Sequence, residues 1–273
     1  RLRPEGWPVS NGRQPGLGVA LSQAFMQTGS SSFAEFLGQH DPSLLPVLSP
    51  MIERTIQWAA ANRELITDGR QGVILADETI WQAQADGTPF VEVAARAGLR
   101  VGIKVDTGTE DLAGHPGEKV TGGLDGLAAR LQSYAGLGAC FAKWRGVFRV
   151  DADQLPGTAC IDANAHALAR CAAACQTAGL VPVVEPEVLM DGSHSQARCQ
   201  AVTEAVLRSV FHQLTRQGVL LEGLLLKPNM VRPGETSGAP FSAADIARAT
   251  VRVLQHTLPV AVPGVTFLSG GMS

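Results

Sequence analysis

Six short apolar runs alternate with longer helical patterns, and this alternation limits the folds that are open to the chain. Several runs are apolar without interruption, as a parallel sheet buried on both faces requires. The runs lie at 72–75, 101–105, 139–144, 181–185, 223–227 and 265–269, and helical patterns lie at 124–137, 163–178, 197–217 and from Ser242 onward. Repeated strand–helix units predict an α/β fold, for which both a doubly wound sheet and a (β/α)8 barrel fit six strands.

The first seventy residues have a different pattern. Residues 1–18 are rich in proline and glycine, and 21–37 and 50–65 have helical patterns without a convincing strand. We therefore divide the chain into an irregular or helical segment, 1–70, and a barrel domain, 71–273. A net charge of −3 does not favour a nucleic-acid or acidic-membrane partner, and no apolar run approaches the ~18 residues of a membrane span.

The cysteines and histidines do not form a recognisable ligand pattern. The chain has five cysteines, an odd number in a long chain, so a disulfide framework is not expected. Cys171 and Cys175 share one helix face, but no second Cys or His pair follows at ligand spacing. The sequence predicts buried free thiols in a reducing compartment, and no metal or other cofactor.

Charged residues spaced by two occur where four of the predicted strands end. Side chains two apart on a strand point to the same face, and active sites of α/β barrels lie at the carboxyl ends of the strands. The charged residues are Lys104 and Asp106, Lys143 and Arg145, Glu185 and Glu187, and Lys227. If that face is the barrel interior, these cations and carboxylates converge on one pocket.

Among these charged residues, Lys227 is the one for which a catalytic role is most strongly favoured over a structural role. It follows three leucines, so its stem is expected to be buried, and a buried ammonium is costly unless it is paired or functional. Pro186 has no amide donor, so we expect ladder pairing to stop there and Glu185 and Glu187 to line a strand-end pocket. For the Lys143–Arg145 and Lys104–Asp106 pairs, structural ion pairing remains an open alternative.

Small residues follow the last predicted strand. Ser269, Gly270 and Gly271 would let backbone amides approach an anion such as phosphate. A Ser-Gly-Gly string alone is weak evidence, because such strings are common in plain turns. Its position at the end of a late strand strengthens the prediction, since phosphate sites often form there in barrels. These three residues are therefore predicted to bind phosphate.

Six segments together resemble class I fructose-bisphosphate aldolases, in the order found in that family. They are LEGLLLKPN at 221–229, GIKVD at 102–106, GLDGL at 123–127, FAKWR at 141–145, VEPE at 184–187 and FLSGG at 267–271. The resemblance runs from about Gly72 to the C-terminus. It implies a (β/α)8 barrel that cleaves fructose 1,6-bisphosphate reversibly to dihydroxyacetone phosphate and glyceraldehyde 3-phosphate.

The resemblance also implies a role for each matching residue. Lys227 would form the Schiff base, and Glu185 would be the acid and base for steps on it. The charge network and substrate binding would be supported by Glu187, Lys143 and Arg145. Lys104 with Asp106 would lie near the far phosphate, and the phosphate next to the reacting ketone would be held by Ser269, Gly270 and Gly271. An amine attacks a ketone only when it is neutral, and burial and a neighbouring cation both favour the neutral form. The expected partner is a phosphorylated sugar, and the expected assembly is a homotetramer in the cytoplasm, with the plastid as the alternative.

Parts of the family pattern have no counterpart in the sequence. The acidic first-strand segment of the family is not found in 1–65, and the similar residues at 76–79 lie in a context that matches the second strand. Thr107 stands where the family usually has lysine, and no eighth strand follows Ser269. We therefore expect an incomplete barrel, a truncated chain and low stability from exposed sheet edges. The alternative function is a non-catalytic aldolase-like protein for binding or assembly, or an inactive fragment.

Overall fold

A computed structural model describes residues 72–151 and 154–268 of the chain. The expected segment 1–70 and the division of the chain at residue 71 lie outside these residues and stay predictions. Within the described ranges, no helix is long and apolar enough to cross a membrane.

The described residues form one parallel sheet with helices between its strands. The six-stranded sheet contains β1 (Gly72–Leu75), β2 (Arg100–Lys104), β5 (Phe141–Phe148), β6 (Val181–Val188), β7 (Leu225–Leu226) and β8 (Gly264–Val265), in that order. The helices are α1 (Asp77–Ile80), α2 (Phe90–Arg96), α3 (Leu127–Gly136), α4 (Thr158–Thr177), α5 (Gln196–Arg216) and α6 (Ala243–Thr257). A short 3₁₀ turn, Leu221–Gly223, precedes β7.

The order of the strands distinguishes between the two predicted architectures. Every neighbouring pair in the sheet is parallel and follows the order of the chain, without the reversal that defines a doubly wound sheet. Right-handed crossovers in one direction place all connecting helices on the same face, which leaves the other face as the interior of a barrel. The α/β barrel prediction is confirmed, and the barrel is incomplete over the described residues.

Two strands continue beyond the point at which the sequence placed their ends. We predicted ends at 144 and 185, but β5 and β6 run on to Phe148 and Val188 and remain paired, with Gly146 opposite Pro186. The prediction that pairing stops at Pro186 was therefore wrong for the β5 side. A proline is tolerated there because successive N–H groups of a strand point to opposite neighbours, so Pro186 removes a donor from one side only.

Helix starts follow local sequence signals where those signals are strong. The Ser242 hydroxyl accepts the N–H of Asp245, and the Asp245 carboxylate accepts the N–H of Ser242, so these two residues form a capping box at the start of α6. At the start of α5, Ser195 accepts the N–H of Arg198 in the same way. These caps determine where the two helices begin and so where the preceding loops end.

The core has two layers, one on each face of the sheet. The larger layer lies between the sheet and the helices, and a smaller cluster of Phe141, Val183 and Leu225 fills the barrel interior. Gly102 lies in register with Phe141, and a Cβ on Gly102 would be 2.0 Å from the Phe141 ring. Glycine is therefore required at 102, because only a residue without a side chain leaves room for the ring.

An antiparallel hairpin that the sequence analysis missed covers part of the sheet near the end of β5. It consists of β3 (Thr109–Asp111) and β4 (Lys119–Thr121). The Thr121 hydroxyl donates to the carbonyl of Arg145, and Asn164 of α4 accepts the N–H of Thr121. The strands are three residues long, so the alternation that would predict them is too short to stand out.

Candidate active site

The register of the sheet brings the predicted side chains to one level of the barrel interior. Lys104 pairs with Lys143 across β2 and β5, and Arg145 pairs with Glu185 across β5 and β6. Phe141, two residues before Lys143, belongs to the interior cluster and forms a hydrophobic floor below the charges. Lys143 and Arg145 lie inside β5, and Glu185 and Glu187 lie inside β6, so the expected strand-end position is corrected for these four residues.

Glu185 lies between two lysines. Lys227 Nζ donates to Glu185 Oε1 at 2.7 Å, and Lys143 Nζ lies 2.9 Å from Glu185 Oε2. The second contact is an ion pair by distance but lacks hydrogen-bond geometry, so Oε2 has no hydrogen-bond partner among the described residues. All three residues are buried, with Lys227 8% exposed. The predicted burial of Lys227 is confirmed.

Asp106 connects this group to the lysine of the neighbouring strand. Its carboxylate lies 2.9 Å from Lys104 Nζ and 3.8 Å from Lys143 Nζ. One oxygen also accepts the N–H of Arg145 at 3.3 Å. The pairing of Lys104 with Asp106 that we left open is therefore present, and through Asp106 it joins the same cluster as Lys143.

Arg145, which pairs with Glu187, is the most exposed residue of the cluster. The Arg145 Nε atom donates to Glu187 Oε2, and the Arg145 side chain is 37% exposed, against 7% for Lys143. This contrast places Arg145 towards the mouth of the pocket and Lys143 towards its base.

Two groups of the cluster have shifted pKa values with identifiable causes. Burial alone would raise the pKa of Glu185, but the charges of Lys143 and Lys227 and the hydrogen bond from Lys227 outweigh it and lower the pKa below 4.5. Burial would lower the pKa of Arg145, but Glu187 and the other carboxylates raise it. Glu185 is therefore ionised at neutral pH and able to accept a proton.

The whole cluster carries a small positive charge. It contains four cations and three carboxylates, for a net charge of +1, paired as Lys104–Asp106, Lys143–Glu185, Lys227–Glu185 and Arg145–Glu187. The chain has four lysines in all, and the fourth, Lys119, is in the hairpin and pairs with Asp111. An excess of positive charge in a buried pocket suits an anionic ligand.

Other residues of the prediction fall outside the cluster or outside the described ranges. Ser269, Gly270 and Gly271 are not among the described residues, so their phosphate-binding role stays a prediction. All five cysteines are free, and four of them are buried. Over the residues that the structure describes, no group of His, Cys, Asp and Glu could hold a metal ion.

Asn229 belongs to the surroundings of the site, although the sequence analysis gave it no role. It is buried two residues after Lys227 and accepts the N–H of Val188 at the end of β6. The sequence shows that Asn229 ends the family-like segment at 221–229. It does not show that the asparagine side chain binds the backbone of another strand, because no local pattern marks such a contact.

A barrel sheet with a buried lysine beside a carboxylate at its centre defines a protein of the class I aldolase type. The family model described as fructose-bisphosphate aldolase class-I matches residues 57–273. The chain belongs to the class I fructose-bisphosphate aldolase family, whose members are lyases.

Named relatives and a solved structure agree with this membership. The chain is 51% identical over 228 residues to a probable fructose-bisphosphate aldolase class 1 of Xanthomonas campestris. This match covers 81% of this chain and 68% of the relative. It is 54% identical over 202 residues to fructose-bisphosphate aldolase 6, cytosolic, of Arabidopsis thaliana, and the match covers 74% of this chain and 56% of that relative. A Plasmodium falciparum fructose-bisphosphate aldolase, solved in complex with TRAP and a small-molecule inhibitor, superimposes with a TM-score of 0.73 at 42% identity, covering 81% of this chain and 68% of that one.

Proposed function

We propose that the chain acts as a Schiff-base aldolase on fructose 1,6-bisphosphate, with Lys227 as the nucleophile. One observation carries the assignment of the nucleophile: the Lys227 amine lies 2.7 Å from an ionised, buried Glu185 that is also paired with Lys143. That separation lies within the range for direct proton transfer between a base and an attacking group. Family membership supports the choice of substrate.

Imine formation uses the Lys227–Glu185 pair. Glu185 takes a proton from the Lys227 ammonium, and Lys143 favours this loss because two positive charges in a buried pocket repel each other. The neutral amine then forms a C–N bond to the carbonyl carbon of the ketose. The carbonyl oxygen takes up protons and leaves as water, which produces a protonated imine.

Carbon–carbon cleavage uses the imine as an electron sink. The bond between the carbon adjacent to the imine carbon and the next, hydroxyl-bearing carbon breaks. Its electron pair moves towards the iminium nitrogen to give an enamine, and the hydroxyl proton of the departing aldehyde passes to a carboxylate of the Glu185 and Glu187 pair. Protonation of the remaining enamine and hydrolysis of the imine release dihydroxyacetone phosphate and restore Lys227. Arg145 at the mouth and Lys104 are assigned to phosphate oxygens, and residues 269–271 to the phosphate beside the ketone.

The alternative function is binding or assembly without turnover. One solved relative is described in a complex with TRAP and a small-molecule inhibitor, and this description supports binding as the alternative. The buried Lys227–Glu185–Lys143 group favours catalysis, because a surface used for binding alone has no need of a charged cluster inside the barrel.

The assembly and compartment of the chain are proposals that rest on relatives. The family resemblance supports a homotetramer, and relatives named cytosolic in Arabidopsis thaliana support the cytoplasm, with the plastid as the alternative. Light scattering on the purified chain tests the first proposal, since a mass other than four times 28.6 kDa contradicts a tetramer.

Reductive trapping tests the nucleophile. The chain is incubated with dihydroxyacetone phosphate and borohydride, and digested peptides are mapped by mass spectrometry. We expect one reduced adduct, on Lys227, because it is the lysine that donates a hydrogen bond to the buried Glu185 carboxylate. The chain has four lysines, so the adduct can be assigned without ambiguity.

Two variants control this experiment. Lys227→Met should remove the adduct, whereas Lys119→Met, which changes an exposed lysine of the hairpin, should leave it intact. An adduct on another lysine, or no adduct on a chain whose circular dichroism shows it to be folded, overturns the assignment. Trapping without detectable cleavage of fructose 1,6-bisphosphate would favour the alternative of binding without turnover.

A further inference from the structure

The backbone ladder between β6 and β7 is interrupted beside the Lys227–Glu185 pair. The N–H groups of Val181 and Leu189 donate towards β5, so strand alternation directs the N–H positions of the even-numbered residues between them towards β7. Residues 182 and 186 are prolines and have no donor there. Along this stretch of β6, Val184 and Val188 are left to pair with the β7 side.

The β7 side is equally poor in ladder partners at this point. β7 consists of Leu225 and Leu226, after which the Lys227 N–H donates to the carbonyl of Val184 at 2.8 Å. Extending the register by two residues places Pro228 beside Pro186. Pro186 has no N–H to donate towards β7, whereas the backbone of Pro228 faces β8, because its carbonyl accepts the N–H of Leu268. The two strands thus lose their backbone pairing immediately beyond Glu185 and Lys227.

A side chain bridges this interruption. Asn229 Oδ1 accepts the Val188 N–H at 3.1 Å, as a backbone carbonyl would in a continuous ladder. Its Nδ2 donates to Thr203 Oγ1 of α5 and to the carbonyl of Met230, both at 3.2 Å. Asn229 is 4% exposed, so these bonds form without competition from solvent.

We propose that Asn229 is a positioning residue: its carboxamide takes over the bonding between β6 and β7 where the backbone ladder stops at Pro186, and thereby holds Glu185 against Lys227. The Val188 N–H is three residues along β6 from Glu185, and Asn229 is two residues after Lys227. Tying these two points together sets the separation of the strands on either side of the pair. The bond to Thr203 fixes the orientation of the carboxamide by anchoring it to α5.

The effect on the reaction rests on the proposed function, whereas the bridge itself can be tested independently of it.

Kinetics of three variants test the effect on the reaction. Asn229→Ala removes the acceptor, and we expect kcat for fructose 1,6-bisphosphate cleavage to fall about 10- to 100-fold, with KM changed by less than about 3-fold, because geometry is lost without a substrate contact. Asn229→Asp keeps an oxygen for the Val188 N–H and should restore most of kcat. Asn164→Ala is the matched control, since Asn164 is also buried and accepts the N–H of a strand residue, Thr121, away from the pair.

Amide exchange at Val188 provides a readout that needs no activity. We expect faster exchange in Asn229→Ala, and wild-type exchange in Asn229→Asp and Asn164→Ala. If Asn229→Ala does not fold, Asn229→Ser, whose hydroxyl is too short to reach Val188, replaces it in both measurements.

Each outcome decides one of the two proposals. An equal loss of kcat in Asn229→Ala and Asn164→Ala, or unchanged exchange at Val188, overturns the positioning role. A failure of Asn229→Asp to recover kcat also overturns it, because the acceptor would then not be the cause. If the wild-type chain is not trapped on Lys227, the nucleophile assignment fails, while the exchange measurement still decides whether Asn229 bridges the strands.

Discussion

At the residue scale, Glu185 is enclosed by Lys143 and Lys227 in the barrel interior. Removing charges from water costs several kcal/mol per ion, so a buried ion pair is a weak way to stabilise a fold. Hydrophobic residues of similar volume would pack the same space at lower cost. The cluster is better explained by chemistry, because only ionisable groups can pass a proton between a base and an attacking amine.

His194 is a second buried ionisable residue, and it makes the stability of the chain depend on pH. It is 2% exposed, and neither ring nitrogen has a hydrogen-bond partner among the described residues. Burial and the charges of Arg232 and Arg198 lower its pKa from 6.5, while Asp191 raises it. A lowered folded-state pKa means that the unfolded chain binds the proton more readily, so this contribution is complete above pH 6.5 and is lost as the pH falls through the folded-state pKa.

We therefore predict that His194→Leu reduces the loss of unfolding free energy between pH 7.5 and pH 5.5, as measured by urea denaturation. At the upper pH the variant should lie within about 1 kcal/mol of wild type, because an unpaired polar ring is replaced by an apolar group. His212→Asn, at an exposed position on α5, should show the pH dependence of wild type. An unchanged pH dependence in His194→Leu contradicts the prediction.

At the element scale, β2 and β5 meet through a glycine and an aromatic ring. Gly102 and Phe141 are in register, and the ring occupies the space that a side chain on residue 102 would fill. Phe141 also forms the floor below Lys143, so this contact sets the height of the charged layer. The length and pairing of β5 thus determine the position of the site.

We predict that Gly102→Ala lowers the unfolding free energy by about 1–3 kcal/mol, since the added carbon would lie 2.0 Å from the Phe141 ring. Chemical denaturation measures the loss, and the double variant with Phe141→Leu should recover part of it. Gly136→Ala is the control: no atom lies within 4 Å of its added carbon, and alanine in a helix should stabilise by about 0.5–1 kcal/mol. Equal effects at 102 and 136 would contradict the packing argument.

At the scale of the whole molecule, the charged cluster links four strands of the sheet. Asp106 follows β2, Lys143 and Arg145 belong to β5, Glu185 belongs to β6, and Lys227 follows β7. Protonation of one carboxylate therefore weakens contacts across most of the barrel wall. Acid should act on the fold as a whole and not on a single loop.

We predict a cooperative loss of stability below pH 4.5, in addition to the His194 effect. The folded-state pKa of Glu185 lies below its ordinary value of 4.5, so its stabilising contribution is present above pH 4.5 and is lost as the pH falls through the folded-state pKa. Unfolding free energy measured against pH should decrease in this window even in His194→Leu. A flat profile from pH 5 to pH 3 would show that the cluster does not stabilise the fold.

The sequence by itself determined the α/β class, the positions of the main strands and helices, and the identity of the charged residues, because uninterrupted apolar runs and charges spaced by two are local patterns. It predicted the burial of Lys227 from three preceding leucines. The strand pattern did not distinguish a barrel from a doubly wound sheet, because strand order is a property of long-range pairing, and only the six family-like segments implied the barrel. The sequence also did not reveal that β6 continues through Pro186, because this depends on which neighbouring strand the missing N–H would face.

Only the tertiary structure decided which charges meet. Spacing placed Lys143 and Arg145 on one face, but the register of β5 against β6 put Lys143 and Lys227 on the two oxygens of Glu185 and left Arg145 to Glu187. The role of Asn229 depends on Pro186, which lies in another strand about forty residues earlier in the sequence. Such contacts are set by the separation and register of strands, which no local pattern encodes.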